Sequence, residues 1–592
     1  MAYRKRSALV SGAITGVRFA VKSYEPSLMP RSAIDQGIVT GGSFFTGFLT
    51  GAISGRVFGI LPFFGSSFGL RLAGLATAGV RSAQMLRAQL DPEDAPHSEM
   101  AGWVEMGGEI VGSLALSGVA QGTNVPAARF TTVAALAMGS AADAQAAFSH
   151  REDSPDVRYV LTSIGVAAGL NVAVAGLAGV VYLGAAIPRR LASSRGTGLV
   201  LSVIGGVATL GALAVVARIT ASKVMRGIEA SNMETEIAYA TSPDAPAVSG
   251  STFSLARYET LGLQGRRLVS EVTPHDAFVE VIGEPPVSDP VRVFVGMDSA
   301  DSPDDRVELA VQELRRAGGF DKSLIIAASP AGTGYVNYIA IEAAELMSRG
   351  DIATIAIQYG ALPSMLSMNR IEEATHLYAQ LLIRLRDEIG RLGRDIKLVA
   401  YGESLGALTS QDGVALASRG DELIVDAALW VGTPQGSALF EELTGAGSAS
   451  VYDNFDAYLD SADPTGPGSR ITFLNHDNDP VTKFSPQDAC SMPPWLEPVD
   501  RGRGTNPYQR WLPGIAFWQG LIDTKNAATV VPGEFYSTGH DYRADLAEFV
   551  RLTYDLSDVS DDQMERIEAR LRDSEVRRSE AIAQGRVPDT RD

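Results

Sequence analysis

Uncharged, apolar runs dominate the first third of the chain, and short β-branched runs punctuate the rest. Residues 36–55, 159–188 and 196–217 carry no charged side chain for 20, 30 and 22 residues. A helix of about 20 apolar residues crosses ~30 Å of hydrocarbon, and helices or closed barrels alone satisfy their backbone groups there. Three further segments are weaker candidates: 57–80, interrupted by Arg71, then 110–128, and 130–148 with Asp143. Four to six spans are therefore expected in residues 1–230. Gly165 and Gly169 have the spacing that lets helices approach closely, so a transmembrane helical bundle is expected rather than isolated anchors.

The pattern changes at residue 231. Residues 231–290 read as a polar connector containing Pro243, Pro246, Pro285, Pro286 and Pro290, with one short strand candidate at 277–282. Apolar runs then recur at 291–297, 323–329, 352–359, 396–402, 426–432 and 470–476, separated by helical-period segments such as 304–317, 338–348, 371–392 and 406–417. Continuous apolar strands alternating with helices predict an α/β domain, residues 291–555, whose mostly parallel sheet is covered on both faces. Residues 556–592 are dense in charge and read as an exposed helix fraying into a tail.

Composition narrows the function classes. The 592 residues carry a formal net charge of −19, which argues against a nucleic-acid surface, since that requires clustered Lys and Arg. Cys490 is the single cysteine, so neither an intrachain disulfide nor a cysteine zinc cage can form. The basic start, Arg4, Lys5 and Arg6, precedes an apolar stretch broken by Arg18 and Lys22, and reads as an uncleaved cytoplasmic N-terminus. The expected location is the cell membrane, with several passes. The side on which the α/β domain lies stays open, because three basic residues precede the last span (Arg189, Arg190, Arg195) and three follow it (Arg218, Lys223, Arg226).

Gly402-Glu403-Ser404-Leu405-Gly406 fits G-x-S-x-G, the turn that lifts a serine off a strand end. Gly65-Ser66-Ser67-Phe68-Gly69 matches as well, but no strand precedes it. Ser404 has both a strand before it and a helical segment after it. A serine hydroxyl needs a base, and the base an orienting acid. The fold's chain order places both after the nucleophile, which leaves His476 and His540 as bases. His540 is preferred because it sits in a Gly-flanked loop before the final helical segment. Asp479, just before Pro480, is preferred over Asp477 as the acid. Oxyanion donors are expected from the Leu405 amide and from the loop after the second strand, at Ala331, Gly332, Thr333 and Gly334. That loop lacks the Gly-Lys-Ser/Thr ending of a phosphate-binding loop.

Several longer segments resemble a bacterial membrane-anchored α/β-hydrolase family, in which a multi-spanning domain precedes a serine-hydrolase domain. They are PSLMPRSAIDQGIVTGG (26–42), VRVFVGMDSA (291–300), ELRRAGGFDKSLIIAASPAGTGYVN (313–337), GDIATIAIQYGALPSMLS (350–367), YGESLGA (401–407), ALWVGTP (428–434), FLNHDNDPV (473–481) and GHDY (539–542). The resemblance implies an α/β-hydrolase fold and gives Ser404, Asp479 and His540 the nucleophile, acid and base roles. It names no substrate.

The leading expectation is a membrane-embedded serine hydrolase, esterase- or lipase-like, that acts on an ester or thioester of a lipid or lipid-linked molecule without metal or organic cofactor. Its partners are then membrane lipids and the lipid substrate. Acyl transfer to an alcohol is an open variant. The alternative is a transporter-like or scaffold protein with an idle α/β domain, to which Arg71, Glu109 and Asp143 would contribute intramembrane charge.

Overall fold

The computed structural model describes residues 2–58, 98–122, 126–151, 155–192, 194–420, 422–461, 470–497, 501–527 and 529–585. They form two units, one made of 220–482 with 527–592 and the other of 1–219 with 483–526.

In the first unit the expected apolar runs become strands β1 (Val291–Val295), β2 (Leu324–Ser329), β3 (Ile352–Ile357), β4 (Lys397–Glu403), β5 (Ala427–Val431) and β7 (Ile471–Leu474). A short strand that the pattern does not announce, β6 (Ser450–Tyr452), closes one edge. The seven strands lie in the order β1-β3-β2-β4-β5-β7-β6, and every neighbouring pair is parallel. Successive side chains point to opposite faces, so each strand feeds two cores. Ile325, Ala327, Leu398, Ala400, Trp430 and Phe473 pack with the helices Pro303–Arg316, Ile371–Leu392 and Leu405–Ala417. Ile326, Ala328, Val399, Tyr401, Leu429 and Val431 pack with Tyr338–Met347, Leu546–Thr553 and Asp561–Gln584. With both faces covered, alternation is lost and the runs read as uniformly apolar. Adjacent strands β2 and β4 are followed by helices on opposite faces. This opens a crevice beyond their carboxyl ends, where open α/β sheets bind ligands.

Two segments depart from expectation. Residues 277–282 are not a strand but part of the helix His275–Ile282, which buries Ala277, Phe278, Val281 and Ile282, a helical spacing. The charged tail is the helix Asp561–Gln584, with Met564, Ile567 and Leu571 in the core. Its charges are used as well: Arg578 pairs with Glu342 at 2.9 Å, and Ser574 donates to the same carboxylate at 2.8 Å.

The second unit contains the helices Ala2–Lys22, Ala33–Phe58, Glu99–Gly122, Pro126–Ser149 and Val157–Leu191, most of Arg195–Ser231, and residues 483–526 with the helix Ile515–Asn526. Among the described residues two helices are long and apolar enough to cross a membrane, Val157–Leu191 and Gly196–Ser231, with mean hydropathies of 2.1 and 2.4. Their apolar side chains are largely exposed, as at Leu161, Val172, Val203 and Val216. They approach each other through small residues, the Gly205 Cα lying against the Gly184 backbone. Residues 36–55 lie in Ala33–Phe58, where small and hydroxyl residues serve packing. Gly47 and Gly51 leave room for Phe19 and Thr15 of the first helix. Residues 110–122 fall in the helix Glu99–Gly122, and 126–128 and 130–148 in Pro126–Ser149. The candidate 57–80 lies almost wholly outside the described residues, as do Arg71 and the 65–69 motif.

The expected 291–555 domain is thus interrupted, because 483–526 folds with the helices. Phe19, Leu512 and Ile515 form a small core there. Arg510 donates to Glu25 at 2.7 Å and to Glu105 at 2.7 Å, Lys22 also pairs with Glu105 and Glu109, and Arg18 with Glu109. Glu25, Glu105 and Glu109 are all buried. Removing one partner of a buried pair strands the other charge, which typically costs about 3–5 kcal/mol. Arg510→Ala, which leaves Glu25 and Glu105 short of a cation, is expected to lower stability by about that amount. Thermal unfolding of the full chain in detergent measures it, and a melting temperature equal to wild type would refute the assignment.

Candidate active site

Ser404 stands between β4 and the helix Leu405–Ala417 with φ +57° and ψ −126°. A non-glycine residue held there stores about 1–3 kcal/mol of strain. The flanking glycines make the turn possible. A Cβ on Gly402 would meet the Gly406 carbonyl oxygen at 2.5 Å, and one on Gly406 would meet the Ser329 carbonyl oxygen at 2.3 Å. The Ser404 N–H donates to the Val431 carbonyl at 2.9 Å, which anchors the turn on β5. The side chain is partly exposed and makes no capping hydrogen bond.

The next residue of β5's exit, Gly432, brings the histidine in. A Cβ there would lie 2.6 Å from His540 Cε1 and 2.9 Å from Nδ1, so the imidazole lies against the bare glycine. Val431 therefore holds the serine turn while its neighbour seats the ring. His540 Nδ1 is 2.7 Å from Asp479 Oδ2, with the side chains 8% and 0% exposed. The Tyr542 hydroxyl donates to the same oxygen at 2.6 Å, and the Val481 N–H donates to Oδ1 at 2.8 Å. With three donors the buried carboxylate is satisfied as an anion. Burial opposes the charged form of His540, but attraction and hydrogen bonding from Asp479, with the carboxylates of Glu403 and Asp541, outweigh it and raise its pKa above the usual histidine value. Among the described residues no hydrogen bond joins the ring to the Ser404 hydroxyl.

The alternative histidine is placed otherwise. His476 is fully buried, with Nδ1 2.9 Å from the Gly539 carbonyl and Nε2 3.2 Å from Asp545. Both ring nitrogens are occupied, and the ring stacks on Tyr542 at 4.0 Å. It braces the loop that carries His540. Asn478 shares that task by accepting from the Gly539 N–H at 2.8 Å. Asp477 donates its amide to Asp453 at 2.6 Å, and it is Asp479 that meets His540.

Of the expected oxyanion donors, Leu405 opens its helix, so its N–H has no acceptor within the helix. Gly334 is a correction: its N–H donates to the Ala331 carbonyl at 2.8 Å, and the Ala331 N–H to Tyr335 at 2.8 Å. The turn spends both amides on itself. Among the described residues the Gly332 and Thr333 amides make no backbone hydrogen bond. Gln358 holds the loop by donating to the Thr333 carbonyl at 3.1 Å.

Residues missed by the sequence reading are Tyr542, Gly432 and a polar cluster of Glu403, Asn337 and Tyr401. The first two had a signal: Tyr542 lies two residues after His540 in GHDY, and Gly432 lies in ALWVGTP. Among the described residues no cluster of three His, Cys, Asp or Glu is arranged to hold a metal ion.

Residues 291–567 match the model of a family described as the alpha/beta-hydrolase family, and residues 25–272 match the model of that family's N-terminus. No curated protein and no solved structure matches the chain.

The seat of the imidazole gives a direct test. Gly432→Ala, at φ +57° and in collision with the ring, is expected to displace His540 and break its bond to Asp479. The low-field Nδ1 proton resonance of a histidine bonded to a carboxylate reports this; its persistence in the variant would show that the ring is seated differently.

Proposed function

Because the chain belongs to an alpha/beta-hydrolase family, we propose that it is a membrane-embedded serine hydrolase acting on an ester or thioester of a lipid or lipid-linked substrate. The observation that carries this reading is the buried Asp479–His540 hydrogen bond beside a serine held in a strained turn. Ser404 Oγ attacks the acyl carbon while His540 takes its proton. Asp479 keeps the proton on Nδ1, so that Nε2 is the free base, and stabilises the imidazolium that forms. The carbonyl electrons move onto oxygen, where the amides of Leu405 and of Gly332 or Thr333 receive them. Collapse expels the alcohol or thiol with the proton from His540, and water repeats the sequence on the acyl-enzyme. An alcohol in place of water makes the same site an acyltransferase.

The lipid assignment rests on the exposed apolar surface of Val157–Leu191 and Gly196–Ser231. Thirty-five residues of helix extend about 50 Å, more than a bilayer's hydrocarbon requires. Large exposed apolar surfaces mark protein–protein or membrane contact, and uncharged helices of this length favour the membrane. The transporter-like alternative draws on Glu109, Asp143 and Arg71. Glu109 is engaged by Arg18 and Lys22, which favours a structural role.

A fluorophosphonate probe is expected to label the wild-type chain and not Ser404→Ala; equal labelling of both would remove the serine assignment. Alkaline carbonate washing is expected to leave the chain in the membrane pellet, and lipid profiles of cells expressing wild type against Ser404→Ala would identify the substrate. The base works only when neutral, so activity should rise as pH increases through the raised His540 pKa. Asp479→Asn removes the largest attraction that raises it. That variant is expected to shift the acid limb to lower pH and to reduce kcat by up to ~10⁴, as loss of the orienting carboxylate does in a serine protease.

A further inference from the structure

Glu403, between Gly402 and the nucleophile, is a half-buried carboxylate that the mechanism above leaves unused. Asn337 Nδ2 donates to its Oε2 at 2.7 Å and the Tyr401 hydroxyl donates to the same oxygen at 3.1 Å. Asn337 is the last residue of the loop that follows β2, and its Oδ1 caps the next helix by accepting from the Ile339 N–H at 3.0 Å. One side chain thus joins the strand that delivers Ser404 to the loop that carries Gly332 and Thr333. The loop's other tether, Gln358 to the Thr333 carbonyl, comes from the end of β3. Glu403 also stands opposite Val431 in the β4–β5 register, one residue from Gly432, against which the His540 ring lies.

We propose that Glu403 is a positioning residue with two effects: through Asn337 it holds the oxyanion loop against the serine turn, and it sets a second carboxylate beside the His540 ring. This rests on the serine-hydrolase reading. His540 is faced by Asp479, Glu403 and Asp541, with the Tyr542 ring on edge. Glu403 is faced by His540, Asp541, Tyr401, Tyr335 and Tyr542. Burial, with the charge of Asp541, holds the Glu403 carboxyl above its ordinary value, and His540, Asn337 and Tyr401 offset only part of that rise. An anion beside the ring raises the ring's basicity, so removing the charge must lower it.

The test uses the full chain in detergent, with p-nitrophenyl butyrate hydrolysis and fluorophosphonate labelling as functions of pH, for Glu403→Gln, Asn337→Ala and wild type. Glu403→Gln keeps an acceptor for Asn337 and loses only the charge, so the acid limb should move to lower pH with a plateau kcat within a few-fold of wild type. Asn337→Ala keeps the carboxyl group but loosens the loop, so kcat should fall about tenfold or more with little change in KM, in line with the ~10²–10³ cost of a lost oxyanion donor. A Glu403→Gln limb superimposed on wild type, or an unchanged kcat in Asn337→Ala, overturns the proposal. Wild type that neither labels nor hydrolyses would instead sink the hydrolase reading. The His540 titration, followed by ¹³Cε1 NMR in wild type and Glu403→Gln, then still decides the charge effect, since equal titration midpoints refute it.

Discussion

A carboxylate with no exposed surface survives as an anion only where donors surround it, and Asp479 meets that constraint with three: the His540 ring, the Tyr542 hydroxyl and the Val481 amide. The donors come from two loops about sixty residues apart in the chain. Neither loop can shift without leaving a buried charge unpaired, an arrangement that costs several kcal/mol. His476 doubles the link by bonding the Gly539 carbonyl and stacking on the Tyr542 ring, while the Tyr542 hydroxyl accepts from the His476 amide at 3.0 Å. The imidazole at 540 is therefore held by Asp479, by Gly432 against the ring, and along its loop by Asn478.

Between these two loops the chain makes an excursion, residues 483–526, that folds with the helical unit. Its core is completed by Phe19 of the first helix, and its central arginine neutralises Glu25 and Glu105. Apolar burial alone does not explain that small cluster. Ion pairs taken out of water add little net stability, but they are specific, since only the correct partner offsets the desolvation. The first helix carries Arg18 and Lys22 for the same reason. Those charges interrupt what otherwise looks like an apolar leader, and they meet Glu105 and Glu109 inside the unit.

The parallel sheet was the most legible part. Strands buried on both faces become unbroken apolar runs, and six of the seven stand where such runs lie. β6 escaped because a three-residue edge strand with Val451 half exposed has no such run. Residues 277–282 misled because the run is short and rich in β-branched residues, yet the structure buries Ala277, Phe278, Val281 and Ile282, one face of a helix. The tail misled in the opposite way. Met564, Ile567 and Leu571 form a thin helical stripe among many charges, and a helix needs only such a stripe when Glu342 and Glu271 are there to meet Arg578.

By itself the amino-acid order determined the serine turn, because strand, Gly-x-Ser-x-Gly and helix are contiguous and the glycines are required by contacts within a few residues or one strand away. It also narrowed the acid and base to two candidates each. It preferred Asp479 and His540 on their local sequence, but only the tertiary structure shows that these two meet while His476 bonds Gly539 and Asp545. The tertiary structure decided too that the Gly334 amide is spent inside its own turn while those of Gly332 and Thr333 are not. These choices depend on the closure of long loops and on which donor reaches a buried charge first, and no short stretch of chain contains that information.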